Sequence, residues 1–493
     1  MASKQTFFFY DLETSGTNPK EDRIMQFAGQ RTTLDLKPIG EPINLLVKMS
    51  DDTLPQPKAI QVTGITPQST QADGLTEAEL CRFLMEEVFV PGTISLGYNT
   101  IRFDDEFMRY LFWRNFYDPY VWQWQDGRGR WDMLDVVRMT RALRPDGIKW
   151  PVRDDGKITN KLDMLTVANN IEHSNAHDAM ADVEATIAIA KLIKNKQPQL
   201  FDYLFSIRGK KNVQKRVNLE NKQTFVYSSG RYGTEHNFTT IAFPLTAGRN
   251  GNVLVYDLRY DLQDISRNNE TGVLEGTEGC APVVTGRSPF LFASVVTDCE
   301  SLPKSPVSLY PIIKELQYNR CPAVAPVGVL KTEEDWKRID LDKATIEKNL
   351  KTLLAHPEFA EQIRLQHEEQ KDWPAPIDAE SALYDGFLND ADRIRCNAVR
   401  NAGAEQLADF EPDFTDERLP ELFLHYKARN FAHSLSEHEV SEWEKYRLTR
   451  LGRQSKSYLK TIKKLVDQGE LKDSIAEDLI LWYQSICPSG YEE

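Results

Sequence analysis

Twice along its length this sequence changes the period of its apolar residues, and no single layered domain accommodates all three patterns. At first, strand-like and helix-like runs alternate. "TFFFYDL", "IMQFAGQRT" and "INLLVKM" read as strands and "PQPKAIQVTGITPQ" as a proline-rich loop. "TEAELCRFLMEEVF" reads as an amphipathic helix, with Leu80, Leu84 and Val88 four apart. "TISLGYN" follows as a short buried strand. Helices are predicted over residues 103–115, over "WDMLDVVRMTRAL" and over "HDAMADVEATIAIAKLI". Such alternation is that of an α/β domain with helices layered on a sheet.

After "KNKQPQLFDYLFSIRGKKNVQKR" the period shortens. "QTFVYSSGRYG", "TTIAFPL", "NVLVYDL", "APVVTG" and "CPAVAPVGVL" predict a small β-barrel or sheet, and "EEDWKRIDLDKATIEKNLKTLLA" a helical stretch behind it. "QKDWPAPIDAES" reads as a linker. Beyond it the chain is helical, with Leu419, Leu422, Phe423 and Tyr426 on one face and Leu471, Ile475, Leu479 and Trp482 on another. Ser436 and Glu439 have capping-box spacing. The predicted domains are 1–197, 198–371 and 374–493, and a chain of 493 residues is too long for one ordinary core.

The six cysteines are scattered without a CxxC pair, which argues against a structural zinc and a disulfide framework and fits a reducing cytoplasm. No secretory leader and no apolar run of membrane-spanning length is apparent, so a soluble cytoplasmic protein is expected. The net charge of −14 has the wrong overall sign for a nucleic-acid binder, but it does not say where a basic groove lies.

Three acidic elements stand out. Asp11 and Glu13 end the first strand, and the two-residue repeat puts both on one face with Leu12 on the other. Two like charges so placed are unfavourable unless a cation sits between them or water solvates them. Hard oxygen ligands suit Mg²⁺ or Mn²⁺. Asp104 and Asp105 open a helix with the apolar stripe Phe103, Phe107, Tyr110 and Leu111. Acids there also complement a helix dipole. In "HSNAHDAMADVEATIAIAKL", Asp182 lies beside the stripe Met180, Val183 and Ile187, where an unpartnered carboxylate is costly.

In order, these elements resemble the DEDD superfamily of 3′→5′ exonucleases, in its histidine-bearing branch: "DLET", "YNTIRFD" and "HDAMAD" are similar to its three motifs. "GITPQ", "RNFYDPY", "LRPDGIKWP", "IEHSNAHDAMAD", "QPQLFDYLF", "LYDGFLNDADR" and "LPELFLHYKARNF" extend the likeness, to the bacterial exonuclease I family, over most of the chain. The resemblance implies a ribonuclease H-like α/β nuclease domain (a mixed sheet with helices on both faces), an SH3-like β domain and a C-terminal helical domain. It implies hydrolysis of single-stranded DNA from its 3′ end to nucleoside 5′-monophosphates, in repair and recombination. Asp11, Glu13, Asp104 and Asp182 would hold two Mg²⁺ ions, Mn²⁺ being possible, with Asp11 bridging. His177 would be the general base, a role that suits a group titrating near neutrality.

Chemistry alone does not choose between Asp104 and Asp105. The family pattern, with the acid directly after the aromatic, selects Asp104 and leaves Asp105 as a helix cap. Glu13 and the backbone at Leu12 and Thr14 would abut the terminal nucleotide, and Lys161 would contact its phosphate. Arg144 and Tyr203 would form a pocket for the C-terminal tail of single-stranded DNA-binding protein. A monomer is expected. Arg208, Lys210, Lys211, Lys215 and Arg216, and the aromatics around Arg128 and Arg130, are candidates for a single-strand groove or for a solvated face and core. The rival readings are an exoribonuclease, a scaffold on a catalytically dead nuclease fold, and a two-carboxylate glycosidase. The last needs neither the histidine nor four acids.

Overall fold

The computed structural model describes residues 5–173, 178–262, 312–368 and 375–488. They belong to two compact units, one of residues 1–131, 172–188 and 374–493, the other of residues 132–171 and 189–373.

The first unit is built on a five-stranded mixed sheet, ordered β3-β2-β1-β4-β5. Its strands are β1 (Thr6–Thr14), β2 (Ile24–Thr32), β3 (Ile43–Leu46), β4 (Thr93–Gly97) and β5 (Gly129–Asp132). The aromatic run occupies the centre: β1 pairs antiparallel with β2 and parallel with β4. Alternation divides its side chains. Phe8, Tyr10 and Leu12 enter a core with Leu80, Leu84, Val88, Phe107, Leu111 and Trp122, each large apolar group worth about 1.5–3 kcal/mol of burial. Phe7 stacks on Trp131 at 6.3 Å. A Cβ on Gly97 would lie 2.5 Å from the Tyr10 carbonyl oxygen, so β4 approaches β1 this closely only with glycine there. The helix α1 (Asp104–Arg114) packs on the Phe8–Leu12 face.

The proline-rich segment expected as a loop contains two short helices, Pro57–Thr63 and Pro67–Asp73. Each starts with proline, whose fixed φ suits the first helical position, and Thr66 caps the second. Proline here starts a helix rather than interrupting one.

The C-terminal helices share cores with the sheet-bearing N-terminal region. Leu451, Tyr458, Ile462, Leu479 and Trp482 pack with Met25, Met49, Leu54 and Ile60. Leu422, Phe423 and Tyr426 pack with Tyr110, Trp113 and Phe116. Both expected apolar stripes are buried, and Ser436 and Glu439 form a reciprocal capping box.

In the second unit, β6 (Phe225–Ser228), β7 (Thr239–Ala247), β8 (Val253–Asp257), β9 (Ile313–Leu316) and β10 (Ala323–Pro326) form an antiparallel sheet ordered β10-β6-β7-β8-β9. The expected strand in "APVVTG" lies outside the described residues. Helix α2 (Met133–Leu143) packs against β6, β7 and β10. The helical stretch behind the sheet splits into Glu333–Arg338 and Lys343–Ala355, where the Asp342 side chain accepts from the Thr345 N–H and starts the second helix. Among the described residues no helix is long and apolar enough to cross a membrane.

Candidate active site

Strand β1 presents Asp11 and Glu13 from the face opposite Tyr10 and Leu12. Helix α3 (Ala179–Lys196) brings Asp182 to them. One carboxylate oxygen from each of Asp11, Glu13 and Asp182 lies within 4.8 Å of the others. Asp104, at the start of α1, is buried, and its Oδ1 accepts from the Leu12 N–H at 3.2 Å.

The electrostatics are those of crowded like charges. Burial, then Asp104, Asp182, Glu13 and Asp178, push the Asp11 carboxyl well above the usual carboxylate range. Burial, then Asp182 and Asp178, raise Glu13 to about 8. The acids around these two act in the same direction as burial. An all-oxygen cluster that resists ionisation by itself, converging within one ligand-to-ligand distance, fits a hard divalent cation.

The two adjacent acids of α1 have different surroundings. Asp105 does not cap the helix, contrary to expectation: the cap position is Phe103, without a side-chain cap bond. Asp105 instead turns inward. It accepts from the Tyr10 hydroxyl at 2.5 Å and pairs with buried Arg130. Burial, then Asp105 and Asp104, hold the Tyr10 phenol well above its ordinary range, so it stays a donor. Asp178 accepts from the N–H groups of Met180 and Ala181 at 3.0 and 3.1 Å, capping α3.

His177 lies outside the described residues. His173, not singled out from the sequence, is within 2.6 Å of Asp182 through Nε2. Its only sequence signal was a second histidine in "EHSNAHD".

Lys161 belongs to the second unit, exposed at the N-cap of the helix Leu162–Ala168. Arg144 and Tyr203 are in that unit too. Arg144 donates to the Val329 carbonyl at 3.2 Å, and the Tyr203 hydroxyl to the Val324 carbonyl at 3.2 Å.

The groove candidates divide. Lys210, Lys211, Lys215 and Arg216 are exposed on the helix Lys210–Arg216, while the Arg208 guanidinium lies over the Phe205 ring at 3.8 Å. Phe112, Trp113, Phe116, Trp122 and Trp131 are core. Arg130 is occupied by Asp105, and Arg128 donates to the Phe89 carbonyl at 2.5 Å and to Asp126 at 2.9 Å. Both arginines bind the fold together.

Three family models match the chain: an exonuclease family over residues 8–190, an exonuclease I SH3-like domain over 208–273 and 299–369, and an exonuclease I C-terminal domain over 377–486. Exodeoxyribonuclease I of Haemophilus influenzae is 39% identical over 469 residues, 95% of this chain and 95% of that one. The crystal structure of Escherichia coli exonuclease I in complex with a dA16 oligonucleotide matches with a TM-score of 0.87 at 36% identity, covering 98% of this chain and 100% of that one. A crystal structure of SSB/exonuclease I in complex with the inhibitor CFAM matches with a TM-score of 0.82 at 34% identity, covering 98% and 100%.

Proposed function

This chain belongs to the bacterial exonuclease I family, and from that premise we propose how its own residues carry the activity. It is a 3′→5′ exonuclease of single-stranded DNA that depends on a divalent metal. The observation that carries the site assignment is the convergence of Asp11, Glu13 and Asp182 within 4.8 Å.

Asp11, Glu13, Asp182 and Asp104 hold two ions, and Mg²⁺ best suits a set of carboxylate oxygens. Bound there, such ions would supply activation of the attacking water and charge neutralisation at the scissile phosphate and the departing 3′ oxygen. His177 takes the proton from the attacking water. The motif "HDAMAD" supports this role. His173 holds the Asp182 carboxylate in one orientation through its 2.6 Å contact. Glu13 and the backbone at Leu12 and Thr14 meet the terminal nucleotide, and Lys161 its phosphate. The nuclease, SH3-like and helical domains are residues 1–197, 198–371 and 374–493, in accord with the order of the three family matches.

The solved relatives with a dA16 oligonucleotide and with SSB support two partners, single-stranded DNA and single-stranded DNA-binding protein, and the docking part proposed for the latter is its C-terminal tail. Arg144 and Tyr203 receive that tail. The enzyme works as a cytoplasmic monomer in repair and recombination.

The test is digestion of 5′-labelled single-stranded DNA and RNA, with Mg²⁺ or with EDTA, by the wild type and Asp182→Ala. Metal-dependent shortening of DNA from its 3′ end, lost in the variant, is expected. Full activity of the variant would sink the metal assignment, and preference for RNA would replace the substrate.

A further inference from the structure

Asp105 sits where three elements of the catalytic unit meet. Tyr10 of β1 donates to its Oδ1 at 2.5 Å, and Arg130 of β5 pairs with its other oxygen. All three residues are almost wholly enclosed, at 1%, 2% and 8% exposure for Tyr10, Asp105 and Arg130. Burying a carboxylate, a guanidinium and a phenol together is expensive unless each is satisfied. An apolar trio would close the same space. The neighbouring residues show what the arrangement achieves. Tyr10 directly precedes Asp11, and Asp105 directly follows Asp104. Asp104 itself reaches β1 through the Leu12 N–H at 3.2 Å. The first turn of α1, which has no side-chain cap of its own, is therefore tied to β1 at two successive residues and to β5 at one.

From this geometry we infer that Tyr10, Asp105 and Arg130 are positioning residues, which set the distance between the Asp104 carboxylate on α1 and the Asp11 carboxylate on β1. The inference rests on Asp104 being a metal ligand. Supporting groups of this kind hold metal-binding carboxylates at working geometry, and their loss lowers metal affinity or activity by about 10–100-fold. Asp105 is thus neither an alternative ligand nor a helix cap. It is the means by which one helix start is locked to the strand that carries the other acids.

The experiment compares Tyr10→Phe, Asp105→Asn and Asp104→Asn with the wild type. The measurements are kcat, the KM for single-stranded DNA, the Mg²⁺ concentration for half-maximal rate, and the melting temperature in EDTA. Tyr10→Phe keeps the ring and its stacking on Phe27 at 6.0 Å, so it folds even where Asp105→Asn does not. For Tyr10→Phe and Asp105→Asn the half-saturating Mg²⁺ is expected to rise about 10–100-fold, with KM for DNA within about twofold of wild type. Lower melting temperatures with unchanged Mg²⁺ dependence and kcat would make the trio merely structural and overturn the inference. Asp104→Asn separates the two readings. If it is inactive while Tyr10→Phe behaves as wild type, only the positioning role falls. If it is fully active, the ligand assignment falls and takes the inference with it.

Discussion

Two clusters of carboxylates lie in the same unit, one half-buried and one fully buried, and their charges are balanced in different ways. Around Asp11 and Glu13 other acids, Asp182 among them, add to burial in raising both carboxyls. Around Asp52 and Glu380 the neighbours are arginines. Arg23 reaches Glu380 at 2.9 Å, Arg429 reaches Asp52 at 2.7 Å and Glu380 at 2.5 Å, and Arg450 reaches Asp52 at 3.1 Å. Burial alone would raise these two acids, yet the arginines hold both well below the carboxylate range, with His425 adding to the effect on Glu380. Burial of an acid therefore says little about function. What distinguishes the first cluster is that acids crowd Asp11 and Glu13, with His173 meeting only the Asp182 carboxylate at 2.6 Å. The second cluster is completed from within and joins the nuclease sheet to the C-terminal helices.

The largest expected effect falls on the first cluster. Asp182→Asn should lower 3′-end digestion by about a thousandfold, several kcal/mol of barrier. Its melting temperature in EDTA should change little, because the charge removed both repels Asp11 and Glu13 and pairs with His173 at 2.6 Å. A clear drop in metal-free stability would erase the contrast. Glu380→Gln should do the reverse. It leaves Arg23, Arg429 and Arg450 with Asp52 as their remaining buried carboxylate, a loss of about 3–5 kcal/mol in denaturant unfolding. Turnover per folded molecule should be kept.

Acid sharpens the comparison further. The folded pKa values of Asp52 and Glu380 are depressed, so the stability these acids contribute is full above the ordinary carboxylate range. It is lost as pH falls through the folded values. The stability gap between wild type and Glu380→Gln should therefore narrow as pH drops from about 5 to about 2. A gap independent of pH would mean that packing, and not charge, is what the substitution removes. The smallest effect is expected at Arg364, whose pairs with Glu361 and Glu368 at 2.5 and 2.6 Å lie at the surface. Arg364→Ala should leave the melting temperature unchanged within error, since exposed pairs are screened and mobile.

The first cluster could be anticipated because its ingredients are local. Alternation places Asp11 with Glu13, and the likeness of "HDAMAD" to a family motif marks Asp182. The ties that organise it could not. Tyr10 and Asp105 are 95 residues apart, and nothing near either one signals the other. The acid that looked like an ordinary helix cap turns inward because Arg130 and Tyr10 offer a better partnership than exposed N–H groups. Arg130 looked like part of a DNA groove for the same reason: basic side chains near aromatics have the same local signature whether they face a polymer or a core. The α/β, β and helical regions were legible from apolar period alone. The helices at Pro57 and Pro67 were not, because proline signals turns and helix starts alike.

The pairing of Arg23 with Glu380 spans 357 residues of sequence. At about 5–20 residues per second, a ribosome needs roughly 20–70 s to make the chain between them. For that interval the nascent nuclease region exposes Arg23, Asp52 and the apolar surface around Met25, Leu54 and Ile60, all of which the last helices cover. The catalytic half thus begins first and is completed last, and a chain released early would carry the acid-bearing strand β1 on an unfinished body.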